Sequence, residues 1–469
     1  MALTCKIRQL VAVLSIGVLS GCVSNQQWLD EQNRIADGGW NAKIPDLQAA
    51  SLKQMKDWWG NWKDDDLNLL IERAVKTNTD VLTATANVRA AAALADLATA
   101  DLFPTLSAQG QVTGRRVDGE SSESATAGVE AGWALSLVGG NVAKQRAARL
   151  EAMASAMTLE DVRISVAGEV AASYIGLRLA QVKRRIAVES LANYTEAAEI
   201  ARWRYEAGLA DKSEIDQAVS NREAARAQIP VLERSVDQYI NALARLSSCN
   251  AAEIVLHGDV QVPVAPDALA ISLPAQTLMQ RPDMRASFYT LQATSDRVYV
   301  ARSQWFPTLR LTGSLGTQAA TIGALGASGT GVAALIGALS MPILNWGEQV
   351  SASEQSLANL DKARASYTAT LLKALEETEN ALSAITSAQR RRPALAAAEL
   401  AAKSAAELAL QQYRAGITDY QTVLNTQRTL LTAQENSQSN AADLATELVA
   451  LYRALGGGWQ PQPSLESQG

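Results

Sequence analysis

The chain has 469 residues, 48% hydrophobic and 19% charged, long enough for a large buried core or several domains. Only 5% are aromatic, so the apolar bulk is Ala, Leu and Val, a composition suited to closely packed helices. A net charge of −6 with no Lys/Arg block argues against a nucleic-acid partner, and one His with three Cys provides no metal cage, disulfide framework or catalytic constellation. The chain therefore reads as a non-enzyme with no cofactor.

Residues 1–21 have the order of a secretory signal. Lys6 and Arg8 precede an apolar run at 11–19, which is too short to span a bilayer. The run ends in Leu19-Ser20-Gly21-Cys22. An ordinary signal peptide with an incidental cysteine would account for these residues. The tetrad also resembles a bacterial lipobox, whose cleavage leaves Cys22 as an acylated N-terminus carrying palmitate-type chains. Val23 stands where Asp usually retains such lipoproteins at the inner membrane, so the expected location is the outer membrane. Several acyl chains anchor stably, since each buried methylene contributes about 0.8 kcal/mol. Residues 22–65 then form a lipid-anchored segment. Its Trp58-Trp59-Gly60-Asn61-Trp62 cluster is expected to pack back onto the helices.

Beyond it the chain repeats itself. Phe103-Pro104-Thr105-Leu106 recurs as Phe306-Pro307-Thr308-Leu309, and Tyr205-Glu206-Ala207-Gly208 recurs as Tyr413-Arg414-Ala415-Gly416. Asp80 and Asp283 keep the first spacing, and Asp211 and Asp419 the second. Repeat 1 occupies 66–260 and repeat 2 occupies 261–457, with a flexible tail at 458–469.

In repeat 1 the segments 105–115 and 125–137 alternate apolar with polar or small residues over roughly ten positions, the signature of tilted transmembrane strands. This predicts a strand pair at about 104–138, with 118–124 as an exposed loop. Its counterpart at about 307–343 alternates in its first half. The second half, 332–343, is apolar on both faces and is read as a strand on the strength of the repeat. Two soluble hairpins would share this alternation. The aromatics Phe103, Trp305, Phe306 and Trp346 at the strand–helix junctions favour a membrane-interface belt.

Residues 141–207 contain no proline, so a continuous helix would run about 100 Å to a tip near 208. The matching stretch 348–415, ending at a tip near 416, is interrupted only by Pro393. Leu357, Leu360, Tyr367, Leu371, Leu382 and Ile385 keep coiled-coil spacings there. Gly208 and Gly416 suit left-handed helix stops. Asp211 with Glu214, and Thr418 with Gln421, fit capping boxes for the return helices. Four strands cannot close a membrane barrel, so copies must associate: two give eight strands and three give twelve. His257 reads as a loop residue and Cys249 as an inert thiol.

Taken together, these features resemble the TolC family of outer-membrane factors, and the lipobox is similar to the NodT/OprM-like lipoprotein branch. The likeness rests on Leu278-Met279-Gln280-Arg281-Pro282-Asp283-Met284-Arg285, on both paired motifs, and on Leu455-Gly456-Gly457-Gly458-Trp459. It implies a mainly α fold with a small β part: a homotrimer whose antiparallel helices form an α-barrel joined to a shared 12-stranded transmembrane β-barrel. It also implies a passive multidrug-efflux duct coupled through a periplasmic adaptor to an inner-membrane pump of the RND type. The tips at Gly208, Leu209, Asp211, Gly416, Thr418 and Asp419 are then the adaptor-docking residues. Gln421 and Asn425, with Asp216 and Gln217 in the first copy, become candidates for the gate. Arg414 is the candidate tether that holds the mouth shut. The chain departs from the family in having Asn425 where many relatives carry Asp, and Leu137-Val138-Gly139-Gly140 after the second strand. A type I protein-secretion duct and a lipid-anchored coiled-coil scaffold are the alternatives.

Overall fold

The computed structural model describes Trp28 and residues 58–258, 260–264 and 275–457. The signal peptide, Cys22 and the tail from 458 lie outside the described residues. So does most of the anchored segment.

A 3-10 turn at Trp58–Trp62 leads into α1 (Asp65–Thr77) and α2 (Thr79–Ala100). Strands β1 (Thr105–Val117) and β2 (Glu120–Ser136) follow, then α3 (Gly140–Glu206) and α4 (Lys212–Leu246). The second copy supplies α5 (Pro282–Ser303), β3 (Thr308–Ala319), β4 (Gly331–Ser340), α6 (Glu348–Arg414) and α7 (Tyr420–Ala454). Helix lengths match between copies: 22 residues for α2 and α5, 67 for α3 and α6, and 35 for α4 and α7.

Local chemistry sets the helix boundaries. The Asp64 carboxylate accepts from Leu67 N at 3.1 Å and starts α1. Asn78, 1% exposed, ends α1 and begins α2 by accepting from Asp80 N at 2.8 Å, while its amide donates to Leu246 O at 3.0 Å. Pro393 lies inside a continuous α6. It lies on an exposed face with Gln389, whose freed carbonyl can bond to water. Pro230 is likewise exposed within α4.

The described residues fall into two compact units, each drawing on both repeats. One comprises the chain up to Thr83, Leu159–Pro282 and the chain from Leu371 onward; the other comprises Ala84–Thr158 and Asp283–Thr370. In the first, Trp58 is buried and stacks on Tyr452 with ring centroids 5.3 Å apart, as expected of the tryptophan cluster. Buried Arg178 bonds to Asp66 at 3.1 Å and to the Tyr174 hydroxyl at 3.0 Å, and that hydroxyl donates to Asp64 at 2.7 Å. Asp66 also accepts from the backbone of His257 and Gly258, which fastens the link between the repeats. Burial alone would raise the Asp66 pKa; these backbone bonds and the Arg178 charge outweigh it and lower the value.

The second unit contains one antiparallel sheet in the order β1-β2-β3-β4. The β1–β2 connection is tighter than the predicted 118–124 loop. Both strands run to a two-residue turn, Asp118-Gly119, with φ of 50° and 90°. Asp-Gly is the sequence that tolerates this left-handed pair. Strand β4 is also shorter than predicted, stopping at Ser340 ahead of Pro342. At the β2–α3 junction, Gly139 has φ +78, and a Cβ on Gly140 would collide with the Ser303 hydroxyl. Backbone geometry thus favours glycine at 139, and the close approach of the Ser303 side chain favours it at 140.

Candidate functional site

Two helix hairpins in the first unit carry the candidate mouth. α3 and α6 end in the same Schellman geometry. Gly208 N donates to Tyr205 O at 2.8 Å and Leu209 N to Arg204 O at 2.8 Å. Gly416 N donates to Tyr413 O at 3.0 Å and Ile417 N to Gln412 O at 2.9 Å. Both glycines have positive φ, +74° and +72°. The turns expose Leu209 at 70% and Ile417 at 75%, with Trp203 at 62% beside them. Asp211, Thr418 and Asp419 lie on the same two turns, as read from the sequence.

The caps differ from the predicted boxes. Asp211 is the N-cap of α4 but makes no side-chain cap bond, and the Glu214 carboxylate accepts from Tyr413. In α7 the N-cap is Asp419, not Thr418; its carboxylate accepts from Thr422 N at 2.8 Å and the Thr422 hydroxyl at 2.7 Å. Those two bonds, the hydroxyl first, hold the Asp419 pKa below its ordinary value.

Beneath the turns lies a small core, including Tyr194, Ala197, Ala201, Ala218, Tyr413, Tyr420, Val423 and Leu424. Tyr413 is fully buried, and its hydroxyl donates to Glu214 Oε1 at 2.5 Å, joining α6 to α4. The Arg204 guanidinium lies over the Tyr413 ring at 5.0 Å and within 3.7 Å of Glu214, which adds α3 to the junction. Burial, reinforced by the Glu214 bond, pushes the Tyr413 pKa up, so it remains a neutral donor. Tyr420 accepts from Asn221 Nδ2 at 3.3 Å, and Asn221 Oδ1 accepts from Arg428 at 3.1 Å.

Three of the gate candidates form one string. Gln217 Nε2 donates to Gln421 Oε1 at 3.4 Å, and Gln421 Nε2 to Asn425 Oδ1 at 3.2 Å. Asp216 is exposed outside it. Arg414 pairs with Glu196 of α3. The sequence singles out Arg414 and the amides but not the Tyr413–Glu214–Arg204 junction. The only available signal was the repeated Tyr-x-Ala-Gly motif, in which Tyr205 and Tyr413 look alike. Yet Tyr205 is 45% exposed while Tyr413 is buried.

In the second unit, register separates the sheet faces. Leu106, Ala108 and Val112 share a face with Val129, Ala131, Trp133, Leu311, Leu315, Leu335 and Leu339. The other face carries Ser107, Gln109, Gln111, Glu130, Arg310, Thr312 and Ser314, and Gln109 bonds to Glu130 at 2.9 Å. Strand β4 is apolar on both faces. Phe103, Trp305 and Trp346 are 65%, 50% and 93% exposed, and Phe306 is half-buried. A 480 Å³ groove in this unit, lined by Leu97, Ala98, Ala147 and Ala301 and by the Lys144–Asp101 and Arg297–Glu151 pairs, contains no catalytic set. Among the described residues no cluster of His, Cys, Asp and Glu suits a metal, and no helix is long and apolar enough to cross a membrane.

The family model described as outer membrane efflux protein matches residues 70–248 and 273–457. The chain is 28% identical over 412 residues to the toluene efflux pump outer membrane protein TtgF of Pseudomonas putida, covering 86% of this chain and 85% of the relative. It is 29% identical over 435 residues to the pyoverdine export outer membrane protein OpmQ of Pseudomonas putida, covering 90% and 92%. Among solved structures, the outer-membrane channel OprN superimposes with a TM-score of 0.82 at 28% identity, over 91% of this chain and 96% of that one.

Proposed function

The chain belongs to the outer membrane efflux protein family, and we propose that it is the exit duct of a tripartite pump, a passive trimeric channel whose periplasmic mouth is closed by its own helix hairpins. The observation that carries this reading is the two-faced sheet with free edges. One face is apolar up to the β1–β2 turn, where it carries Arg116 and Glu123, and suits lipid; the other is lined with Ser, Thr and Gln and with Arg115, Glu120, Glu130 and Arg310, and suits water. Strands β1 and β4 each pair on one side only, and such edges cannot stand open in a bilayer. Two copies would make eight strands with little bore. Three make a twelve-stranded barrel wide enough to pass solutes, with the exposed junction aromatics at its interfaces.

The exposed turns around Leu209, Asp211, Ile417, Thr418 and Asp419 are the docking surface for a periplasmic adaptor, which joins the duct to an inner-membrane RND-type pump. Three-fold repetition turns Gln421 and Asn425 into amide rings. The Tyr413–Glu214–Arg204 junction and the Arg414–Glu196 pair hold the hairpins together and so keep the mouth shut. Acyl chains on Cys22 supply a second anchor. Cargo is chosen by the pump, consistent with relatives named for toluene and for pyoverdine.

The test is photocrosslinking in cells from Leu209 and Thr418, with captured partners identified by mass spectrometry. Capture of an adaptor encoded beside an inner-membrane efflux pump is the expected result. Capture of a secretion-system adaptor would replace efflux with protein export. Crosslinks confined to outer-leaflet lipid would end the duct reading.

A further inference from the structure

The internal repeat specifies how one copy of the chain meets the next. Thr105 pairs with Gly132, and Thr308 pairs with Ser340. Strand β1 therefore maps onto β3 by a shift of 203 residues, and β2 onto β4 by 208. These are the spacings of the paired Phe-Pro-Thr-Leu and Tyr-x-Ala-Gly motifs, so ladder and sequence agree. Within the chain, the junction between repeats is β2 against β3, where Gly128 faces Gly316. The seam between copies is the same junction displaced by one repeat: Gly128 moves to Ile336 and Gly316 moves to Thr113.

We propose that β4 pairs antiparallel with β1 of a second copy with Ile336 opposite Thr113, so that Gly337 faces Val112 and Ala338 faces Gln111. This rests on the closed-barrel reading above and adds its register. An independent observation supports it. On the apolar face this register sets Leu335 against Gly114, Val112 against Gly337 and Leu339 against Gly110, a large residue beside a glycine each time. The chain already packs this way internally. In the β3–β4 ladder, Leu311 faces Gly337 and Leu335 faces Gly313, with leucine methyls 3.5 and 3.7 Å from where a glycine Cβ would stand. Gly114 has nothing within 4 Å of its absent side chain, while Leu335 is 83% exposed and Val112 60%. Sliding the seam by two residues either way puts Leu or Val against a larger neighbour, or glycine against glycine, and loses the match.

The test uses full-length protein in outer membranes with Cys249, the free thiol among the described residues, replaced by Ser. Paired substitutions are Ala338→Cys with Gln111→Cys and Gly337→Cys with Val112→Cys, covering both ladder pair types. The off-register controls are Ala338→Cys with Gln109→Cys or Thr113→Cys. Copper-phenanthroline oxidation is read as interchain dimers and trimers on non-reducing gels. The expected result is at least tenfold faster linkage for the in-register pairs. Fastest linkage at a control pair would overturn the register while leaving the shared barrel standing. No linkage in protein that still migrates as a native trimer would overturn the β4–β1 seam. Absence of any trimer, in the Cys249→Ser parent as well, would overturn the barrel reading itself.

Discussion

At the scale of single residues, the proposed mouth is joined by a few polar bonds between helices. Tyr413→Phe removes the bond to Glu214 and should lower stability by about 1 kcal/mol. Single-channel conductance in planar bilayers should rise, because α6 is released from α4. Arg414→Ser breaks the pair with Glu196 and should act in the same direction more weakly, since both partners are substantially exposed. An unchanged conductance in both variants would remove these contacts from the gate. Asn425→Asp places a carboxylate at the end of the amide string, and in a trimer it repeats as a ring. Cation selectivity, read as a reversal potential in a salt gradient, should increase. Asp419 supplies the pH term. Its pKa is lowered in the folded state, so its capping contribution is complete above the ordinary carboxylate range and fades as pH falls through the folded value. Hydrogen exchange should show the first turn of α7 fraying below about pH 4. The sequence identified the glycine stops and the amides, since those residue types have few other uses at a helix turn. It could not identify Tyr413, because burial that depends on three helices leaves no local pattern.

At the scale of elements, backbone constraints decide what the strands and turns tolerate. A Cβ at Gly128 would stand 2.7 Å from Leu315 O, so Gly128→Val must force β2 from β3. The expected outcome is loss of the heat-modifiable oligomer on gels, whereas Gly323→Ala, at an open position in the β3–β4 link, should assemble. Gly416→Ala puts a side chain at φ +72 and should cost about 1 kcal/mol, measurable as a lower thermal midpoint. The alternation in β1 and β2 was legible because one face is apolar and the other polar. β4 has no such contrast and was recoverable only through its partner copy. The 118–124 segment reads as a loop because its residues are mostly polar, although Asp118-Gly119 marks the tight turn. Pro393 is accommodated within the expected long helix because it lies on an exposed face, where the carbonyl that the proline leaves free is open to solvent.

At the scale of the whole molecule, two anchors of different kinds are expected. Cys22→Ser should abolish radiolabelled palmitate incorporation, yet the protein should remain in the outer-membrane fraction if the barrel alone holds it. Release into the periplasm would mean that the acyl chains are the principal anchor. The equal lengths of corresponding helices point to a history. Thr79–Ala100 and Pro282–Ser303 are related by the shorter offset throughout, and Gly140–Glu206, Lys212–Leu246 and their counterparts by the longer one. Since the ancestral duplication, none of these helices shows a net gain or loss of a residue relative to its twin. The five-residue discrepancy between offsets lies in the strand-to-strand connections, where a two-residue turn in one copy corresponds to a longer link around Ile322–Ala324 in the other. A library of single-codon deletions and insertions should reproduce that record, with the long helices intolerant and the link around Ile322–Ala324 permissive. On the proposed barrel, that link is the place to graft an epitope for display on the cell surface.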